Sequence, residues 1–280
     1  MTASGFAPAK INLTLHVTGQ RADGYHLLDS LVVFADVGDS ITAVPASQTT
    51  LSVTGPYAGD VPTGGDNLVL RAANLIGAPP VAITLKKNLP AASGIGGGSS
   101  DAAATLRVLA AQFDRDLPHL GDVATLGADV PVCLMAGPCR MSGIGEKLDP
   151  LDDLPPMHLV LVNPGISVAT PTVFSGLVIK DNGAMPDPLP TWQDAPKMAR
   201  WLSVQRNDLE MPARSLVPAI GVVMARIGQT EGCLLARMSG SGATCFGLYA
   251  TRPEADVAAA SLSREHPNWW ITSTSTWQQR

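Results

Sequence analysis

The chain has 280 residues, 45% of them hydrophobic and 15% charged, and 24 acidic against 19 basic side chains give a formal charge of −5. That is enough apolar material for a sizeable core in one large domain or two smaller ones, and too much for a disordered chain, which lacks the apolar surface to offset ordering entropy. No basic run exceeds a pair such as Lys86-Lys87, so the cationic stripe that neutralises a nucleic-acid duplex is missing, although backbone amides could still hold a single small nucleotide.

The four cysteines (Cys133, Cys139, Cys233 and Cys245) form no CxxC and have no nearby His pair. They read as reduced, partly buried thiols with no zinc or redox role. No cationic N-terminal stretch leads into an apolar run, and no apolar stretch approaches the ~20 residues of a membrane span. A soluble, cytoplasmic protein is expected.

In chain order, Ile11, Leu13, Leu15 and Val17 alternate with Lys10, Asn12, Thr14 and His16, which predicts a strand with one buried and one polar face. Asp23-Gly24 marks a turn, and strand-like runs follow at Leu31–Val37, Ser40–Val44 and Leu51–Thr54. Asn67 is a candidate N-cap for a helix carrying Leu68, Ala72, Leu75 and Ile76 on one side. Val81–Leu85 alternates as a strand. A glycine loop at Gly94–Gly98 precedes a helix from Ser100 to about Phe113, apolar at Ala103, Leu106, Leu109, Ala110 and Phe113.

His158–Asn163 reads as a buried strand, and Thr170-Pro171 as a helix start with Thr as cap and Pro at the first helical position. Three prolines make Asp181–Thr191 a surface loop. Helices are expected near 193–204, 208–227 and 253–263, and strands at 233–238, 243–250 and 269–273. Strands mixed with helices, without a regular βαβ rhythm, indicate an α+β protein. A boundary near 150–165 divides it into residues 1–155 and 156–280.

Four blocks carry chemistry. The first is Pro90-Ala-Ala-Ser-Gly94-Ile95-Gly96-Gly97-Gly98-Ser99-Ser100-Asp101, running into a helix. Glycines let backbone approach an anion, and the helix start aims its unpaired N–H groups and positive dipole end at it. The Ser99 and Ser100 hydroxyls would add donors. There is no Gly-Lys pair for a GxxxxGK[ST] loop, and Ser99 stands where GxGxxG needs its third glycine. The plain alternative is a flexible loop before an ordinary helix.

The second block, Met238-Ser-Gly-Ser-Gly-Ala-Thr-Cys-Phe-Gly247, is a small-residue turn leading into a strand, which alone reads as a tight hairpin. In the third, Leu126-Gly-Ala-Asp129-Val-Pro-Val132, Asp129 is either a helix N-cap or a carboxylate that takes a proton from a substrate hydroxyl. In the fourth, Phe6-Ala-Pro-Ala-Lys10-Ile-Asn12, Lys10 is either solvated or a site residue beside Asn12.

In this order the blocks resemble the GHMP kinase family of galactokinase, homoserine, mevalonate and phosphomevalonate kinases, over nearly the whole chain. Within it the match is to the branch that phosphorylates a cytidine diphosphate ester of methylerythritol. The branch is marked here by Ala7-Pro-Ala-Lys10-Ile-Asn12-Leu, Asp23-Gly-Tyr25-His26, Asn67-Leu-Val, Gly143-Ile-Gly-Glu146, Thr170-Pro-Thr-Val-Phe174, Asn207-Asp-Leu209 and Ser239-Gly-Ser-Gly-Ala-Thr244. The resemblance implies a ribosomal-protein-S5-like N-terminal domain and a ferredoxin-like C-terminal domain, with the active site in the cleft between them. It also implies a monomer or weak homodimer acting on ATP and a small molecule.

By the same resemblance, Asp129 is the catalytic base and Lys10 its partner, orienting the hydroxyl and stabilising charge. Pro90 and Gly94, Ile95, Gly96, Gly97, Gly98, Ser99 and Ser100 wrap the ATP phosphates, with Mg²⁺ bridging them through ligands left unassigned. Asn67 and Lys87 lie toward the adenosine. Ser239, Gly240, Ser241 and Gly242 lie near the substrate phosphates, and Tyr25, His26 and Phe174 clamp the cytidine, two aromatics stacking on the base while His26 reads its edge. Asn12 and Thr170 complete that pocket.

Two departures stand out: Ala91-Ala92-Ser93 replaces glycine at the start of the loop, and the link from Ser100 to Asp129 is slightly short. The alternatives are a homoserine- or mevalonate-type kinase, which has no base to stack, and a non-catalytic nucleotide-binding regulator, which has no need of Lys10 and Asp129.

Overall fold

The structure, a computed structural model, describes residues 1–277. The chain opens with β1 (Ala3–Asn12), β2 (His16–Gln20), the long β3 (His26–Pro45) and β4 (Thr50–Thr54). Next come α1 (Leu68–Leu75), β5 (Val81–Lys86), α2 (Gly97–Phe113), α3 (Leu120–Val123) and α4 (Val130–Met135). After these lie β6 (Cys139–Gly143), β7 (Lys147–Pro150), β8 (His158–Asn163), α5 (Thr170–Ser175), α6 (Ala195–Ser203), α7 (Glu210–Leu216) and α8 (Ala219–Gly228). The last elements are β9 (Leu235–Met238), β10 (Cys245–Tyr249), α9 (Arg252–Glu265) and β11 (Trp270–Ser275). The chain forms two compact units, one from Met1–Lys10, Val37–Ala91 and Gly96–Ala136, the other from Ile11–Asp36, Ala92–Ile95 and Gly137 onward.

In the first unit, β5 runs antiparallel to the second half of β3, from Ser40 opposite Lys86 to Pro45 opposite Val81, and parallel to β4. The alternation of Val81, Ile83 and Leu85 is what buries one face of β5. Helix α2 packs on α1 and α4. Its stretch from Ser100 to Leu106 is buried at every position, not on the single stripe that periodicity predicts. Ala102, Ala103 and Ala104 make this possible, because their small side chains let neighbours close in on all sides.

In the second unit, β2 and β6 flank the first half of β3, both antiparallel, and β7 returns beside β6. A separate antiparallel sheet has the order β11-β8-β10-β9, with α8 and α9 packed on it. Fourth, first, third, second is the strand order of the ferredoxin-like half. Its core includes Val160, Val162, Ile220, Val223, Ile227, Cys245 and Leu262. Thr251 and Glu254 close α9 with a reciprocal capping box.

Several expectations shift. The strand predicted over 11–17 breaks at Leu13-Thr14, and Lys10, Asn12, Thr14 and His16 are all buried, so both of its faces lie inside. Helix α2 begins at Gly97, within the glycine run. At Thr170 the cap position falls one residue earlier, on Ala169, which leaves the Thr170 hydroxyl for another partner. The single helix expected over 208–227 is two, divided at Val217-Pro218, because a proline ring clashes with a preceding helical turn and has no N–H to donate. All four cysteines are free thiols. Among the described residues, no helix is long and apolar enough to cross a membrane.

His16 makes the second unit sensitive to acid. One ring nitrogen, Nδ1, donates to the Gly183 carbonyl at 3.2 Å, and Nε2 accepts from the Arg206 N–H at 3.3 Å, a pairing only the neutral ring can make. Burial, then the Arg206 charge, lowers its pKa from the ordinary 6.5, against the raising effect of the Gly183 carbonyl, Asp208 and Asp29. With the folded pKa depressed, the unfolded chain takes up the proton first. Stability is therefore full above about 6.5 and falls as pH drops toward the folded value. Denaturant midpoints measured from pH 7.5 downward should fall through this window, and more shallowly in His16→Asn; an identical slope in both would refute the assignment.

Candidate active site

In the first unit the Lys10 side chain comes off β1 and meets Asp129 at the start of α4, Nζ to Oδ2 2.7 Å. Lys10 is 3% exposed. Asp129, with 38% of its side chain exposed, keeps an open face. It occupies the cap position of α4, yet its carboxylate makes no capping bond, which decides against the plain N-cap. The helix is steadied from its other end, where the Arg107 guanidinium donates to the carbonyls of Cys133 and Leu134 and to Phe6 on β1.

Helix α2 starts beside Lys10. Its cap is Gly96, in the left-handed region at φ 65°, and no side chain caps the helix. A Cβ on Gly96 would stand 3.1 Å from that of Lys10, so glycine is what allows the close approach. The uncapped N–H groups at Gly97–Ser99 make an anion seat. Ser100 does not add its hydroxyl to this seat; it donates to the Pro8 carbonyl at 2.8 Å and ties the helix to β1.

Lys87 and Asn67, expected toward adenosine, are engaged elsewhere. The Lys87 ammonium is buried between Asp39 (2.6 Å) and Asp101 (2.7 Å), close beneath Gly97. Burial, only partly offset by Lys87, pushes Asp101 up to about 7. Asn67 caps α1 by accepting from the Val69 N–H and donates to Pro62. Pro90 is buried where the loop begins.

In the second unit, Gly94 (φ 77°) lies against the turn from Ser239 to Gly242 that joins β9 to β10. Ser239 Oγ accepts from the Asn12 N–H and donates to the Gly94 carbonyl. Asn207 donates to the carbonyls of Met238 and Gly240, at 2.9 and 2.8 Å. The Thr170 and Ser241 hydroxyls share a 2.7 Å hydrogen bond. Ile95 is fully buried. Ala92 sits at φ 46°, in the region that favours glycine, and its carbonyl accepts from the Val168 N–H.

His26 stacks on Phe174 with ring centroids 4.8 Å apart and planes 25° from parallel. That spacing admits no base between these two rings, so a base must use an outer face. Tyr25, 58% exposed, stands beside them on the turn. His26 Nε2 is buried without a hydrogen-bond partner, and burial, then Lys180, lowers the ring's pKa, so a neutral nitrogen faces inward.

Asn207 and Asp101 support these groups from within motifs already quoted, whereas Asp39 and Ser30 stand in no motif; a polar residue beside an apolar strand run, as at Ser30, was the one available hint.

With this geometry in view, the family models for the GHMP kinase N-terminal and C-terminal domains match residues 67–137 and 189–268. The chain is 59% identical to the 4-diphosphocytidyl-2-C-methyl-D-erythritol kinase of Dinoroseobacter shibae, over 97% of this chain and 94% of that protein. It is 58% identical to the enzyme of the same name from Cereibacter sphaeroides, over 95% and 96%. The chain belongs to the GHMP kinase family. A crystal structure of 4-(cytidine 5'-diphospho)-2C-methyl-D-erythritol kinase, 35% identical, superposes with a TM-score of 0.80 over 98% of this chain and all of that one. Homoserine kinase from Cytophaga hutchinsonii, at 16% identity and a TM-score of 0.66, shares the fold alone. GHMP kinases are ATP-dependent.

The close approach at Gly94 yields a contrast. A Cβ there would lie 2.6 Å from Gly242 N and O and from Ser239 O, at a positive φ, whereas one on Gly98 would meet nothing nearer than Leu68 Cδ1 at 3.7 Å. Gly94→Ala should destabilise by about 1–3 kcal/mol from backbone strain alone. Gly98→Ala should be neutral or slightly stabilising in a urea titration. Equal midpoints for the two variants would contradict this account.

Proposed function

We propose that this GHMP kinase transfers the γ-phosphoryl group of ATP to the 2-hydroxyl of 4-diphosphocytidyl-2-C-methyl-D-erythritol. One observation carries the reading: 59% identity along 97% of the chain with a kinase named for that compound. The chemistry of the two units is compatible with it.

The acceptor hydroxyl would lie against the open oxygen of Asp129, which takes its proton as the new O–P bond forms and the bond from the γ-phosphorus to the β–γ bridging oxygen breaks, ADP leaving with that oxygen. Lys10, held 2.7 Å from the other oxygen, orients the carboxylate and offsets negative charge gathering on the transferred group. The N–H groups at Gly97–Ser99 seat the phosphates. Magnesium, carried by the phosphates, would neutralise part of their charge. Among the described residues no cluster of three or more His, Cys, Asp or Glu could hold a metal, which suits an ion that keeps its waters and takes few protein ligands.

In the second unit, Phe174 and the exposed Tyr25 offer ring faces to a pyrimidine. The partnerless His26 Nε2 offers one hydrogen bond to its edge. Mevalonate and homoserine have no base to use these groups. Thr170, Ser241 and the Ser239–Gly242 turn would receive the substrate's diphosphate and polyol.

ADP release with Mg²⁺-ATP should be seen with the cytidine compound and not with mevalonate or homoserine; turnover confined to either of those would overturn the substrate assignment. Asp129→Asn should lower kcat by ~10²–10⁴-fold, the usual contribution of a positioned base, with ATP affinity within about twofold of wild type. Full activity in that variant would remove Asp129 from the reaction.

A further inference from the structure

Asn12 is 1% exposed, and its side-chain oxygen Oδ1 has no hydrogen-bond partner among the described residues. Such an atom is costly to bury, so the direction in which it points carries information. The neighbouring hydroxyl fixes that direction. Ser30 is fully buried, and its Oγ donates to the Thr14 carbonyl at 2.5 Å. A serine hydroxyl has one proton, and here it is committed. Toward Asn12 it can only accept, and it accepts from Nδ2 at 2.8 Å. The amide therefore has one orientation, Nδ2 to Ser30 and Oδ1 away from it.

The far end of this relay is itself fixed. Thr14 Oγ1 accepts from the Leu31 N–H, the residue after Ser30, and meets Met185 Sδ at 3.1 Å. Turning the Asn12 amide over would put two acceptors, its oxygen and Ser30 Oγ, face to face. Away from Ser30, Oδ1 faces Gly240 of the Ser-Gly turn, where a Cβ would come to 3.4 Å from the oxygen and 2.5 Å from the Gly94 carbonyl. With glycine at that point, no side chain of the turn is added against the oxygen.

We propose that Ser30 is a positioning residue that locks Asn12 as a hydrogen-bond acceptor, so that the site requires a donor, a non-reacting hydroxyl of the alcohol substrate, opposite Oδ1. The assignment rests on the phosphorylation of the methylerythritol ester proposed above. In that compound the diphosphate occupies position 4 and position 2 reacts, so the candidate donors are the hydroxyls at positions 1 and 3.

The test pairs wild type and Ser30→Ala with the parent substrate and with analogues carrying fluorine in place of the 1- or the 3-hydroxyl; fluorine keeps the size and cannot donate. For wild type, one analogue should raise KM by about tenfold or more with kcat little changed, as expected when a buried acceptor loses its donor. In Ser30→Ala the amide can turn over. KM for the parent should rise by a similar factor, KM for ATP should stay within about twofold, and the penalty for that fluoro analogue should largely vanish. Wild type treating both analogues like the parent would overturn the donor requirement without any variant, so a misfolded protein cannot hide the result. A full analogue penalty persisting in Ser30→Ala, or equal losses toward ATP and alcohol, would remove Ser30 from the positioning role. Absence of wild-type turnover on the parent would instead overturn the functional reading, and this assignment with it.

Discussion

An almost fully buried ammonium is the constraint from which the first unit follows. Desolvating a lysine costs several kcal/mol unless an opposite charge meets it with good geometry. Lys10 is 3% exposed and meets Asp129 at 2.7 Å. The partner must then be held in place. Arg107 fastens α4 to α2 and β1, Ser100 fastens α2 to Pro8 two residues before the lysine, and Gly96 lets the helix start lie against the lysine stem. The same contacts that make the buried charge tolerable bring a partly exposed carboxylate and an uncapped helix start together. Stability and chemistry are two consequences of one ion pair.

The second unit meets a different problem, holding an irregular glycine turn still with hydrogen bonds in place of charge. Asn207 takes two carbonyls of the turn, Ser239 bridges Asn12 and Gly94, and Gly94 packs backbone against backbone. Arg237 closes the arrangement by donating to the carbonyls of Leu13, Leu202 and Gln205. Among the described residues no carboxylate bonds to this guanidinium, and burial lowers its pKa to about 10. Two of its acceptors lie at the C-terminal end of α6, where the helix dipole favours a cation.

Periodicity and turn residues made most of the elements legible, because they report local preferences that burial then reinforces. β5, β8, α1 and α9 lie within a few residues of their expected spans. Where local pattern misled, a tertiary contact had overridden it. Alternation at 10–17 reads as one wet face, yet pairing by Asp129, Ser30 and Gly183 lets Lys10, Asn12 and His16 be buried. Lys87 looked available for a nucleotide because neither Asp39 nor Asp101 has a spacing that connects it to residue 87. The candidate site was legible at its glycines and at Asp129, whose neighbours in sequence carry the pattern. Ser30 and Asp39, whose roles exist only once distant segments meet, had no such pattern.

The family models cover only part of the candidate site. The matched stretches contain Gly94–Ser100, Asp129 and the Ser239–Gly242 turn, and leave out Lys10, Asn12, Tyr25, His26, Thr170 and Phe174. Phosphate is the same group in every kinase, so a backbone cradle can stay constant while substrates change. A base edge or a polyol hydroxyl must be met by particular side chains, and the ones proposed for that role come from β1, the β2–β3 turn and α5, where Asn12 Oδ1 and His26 Nε2 are buried without partners among the described residues. Two buried groups without partners are a standing cost to the folded chain. On the proposed function they are the half of a hydrogen bond that the substrate completes, and both fall outside the stretches that the family models match.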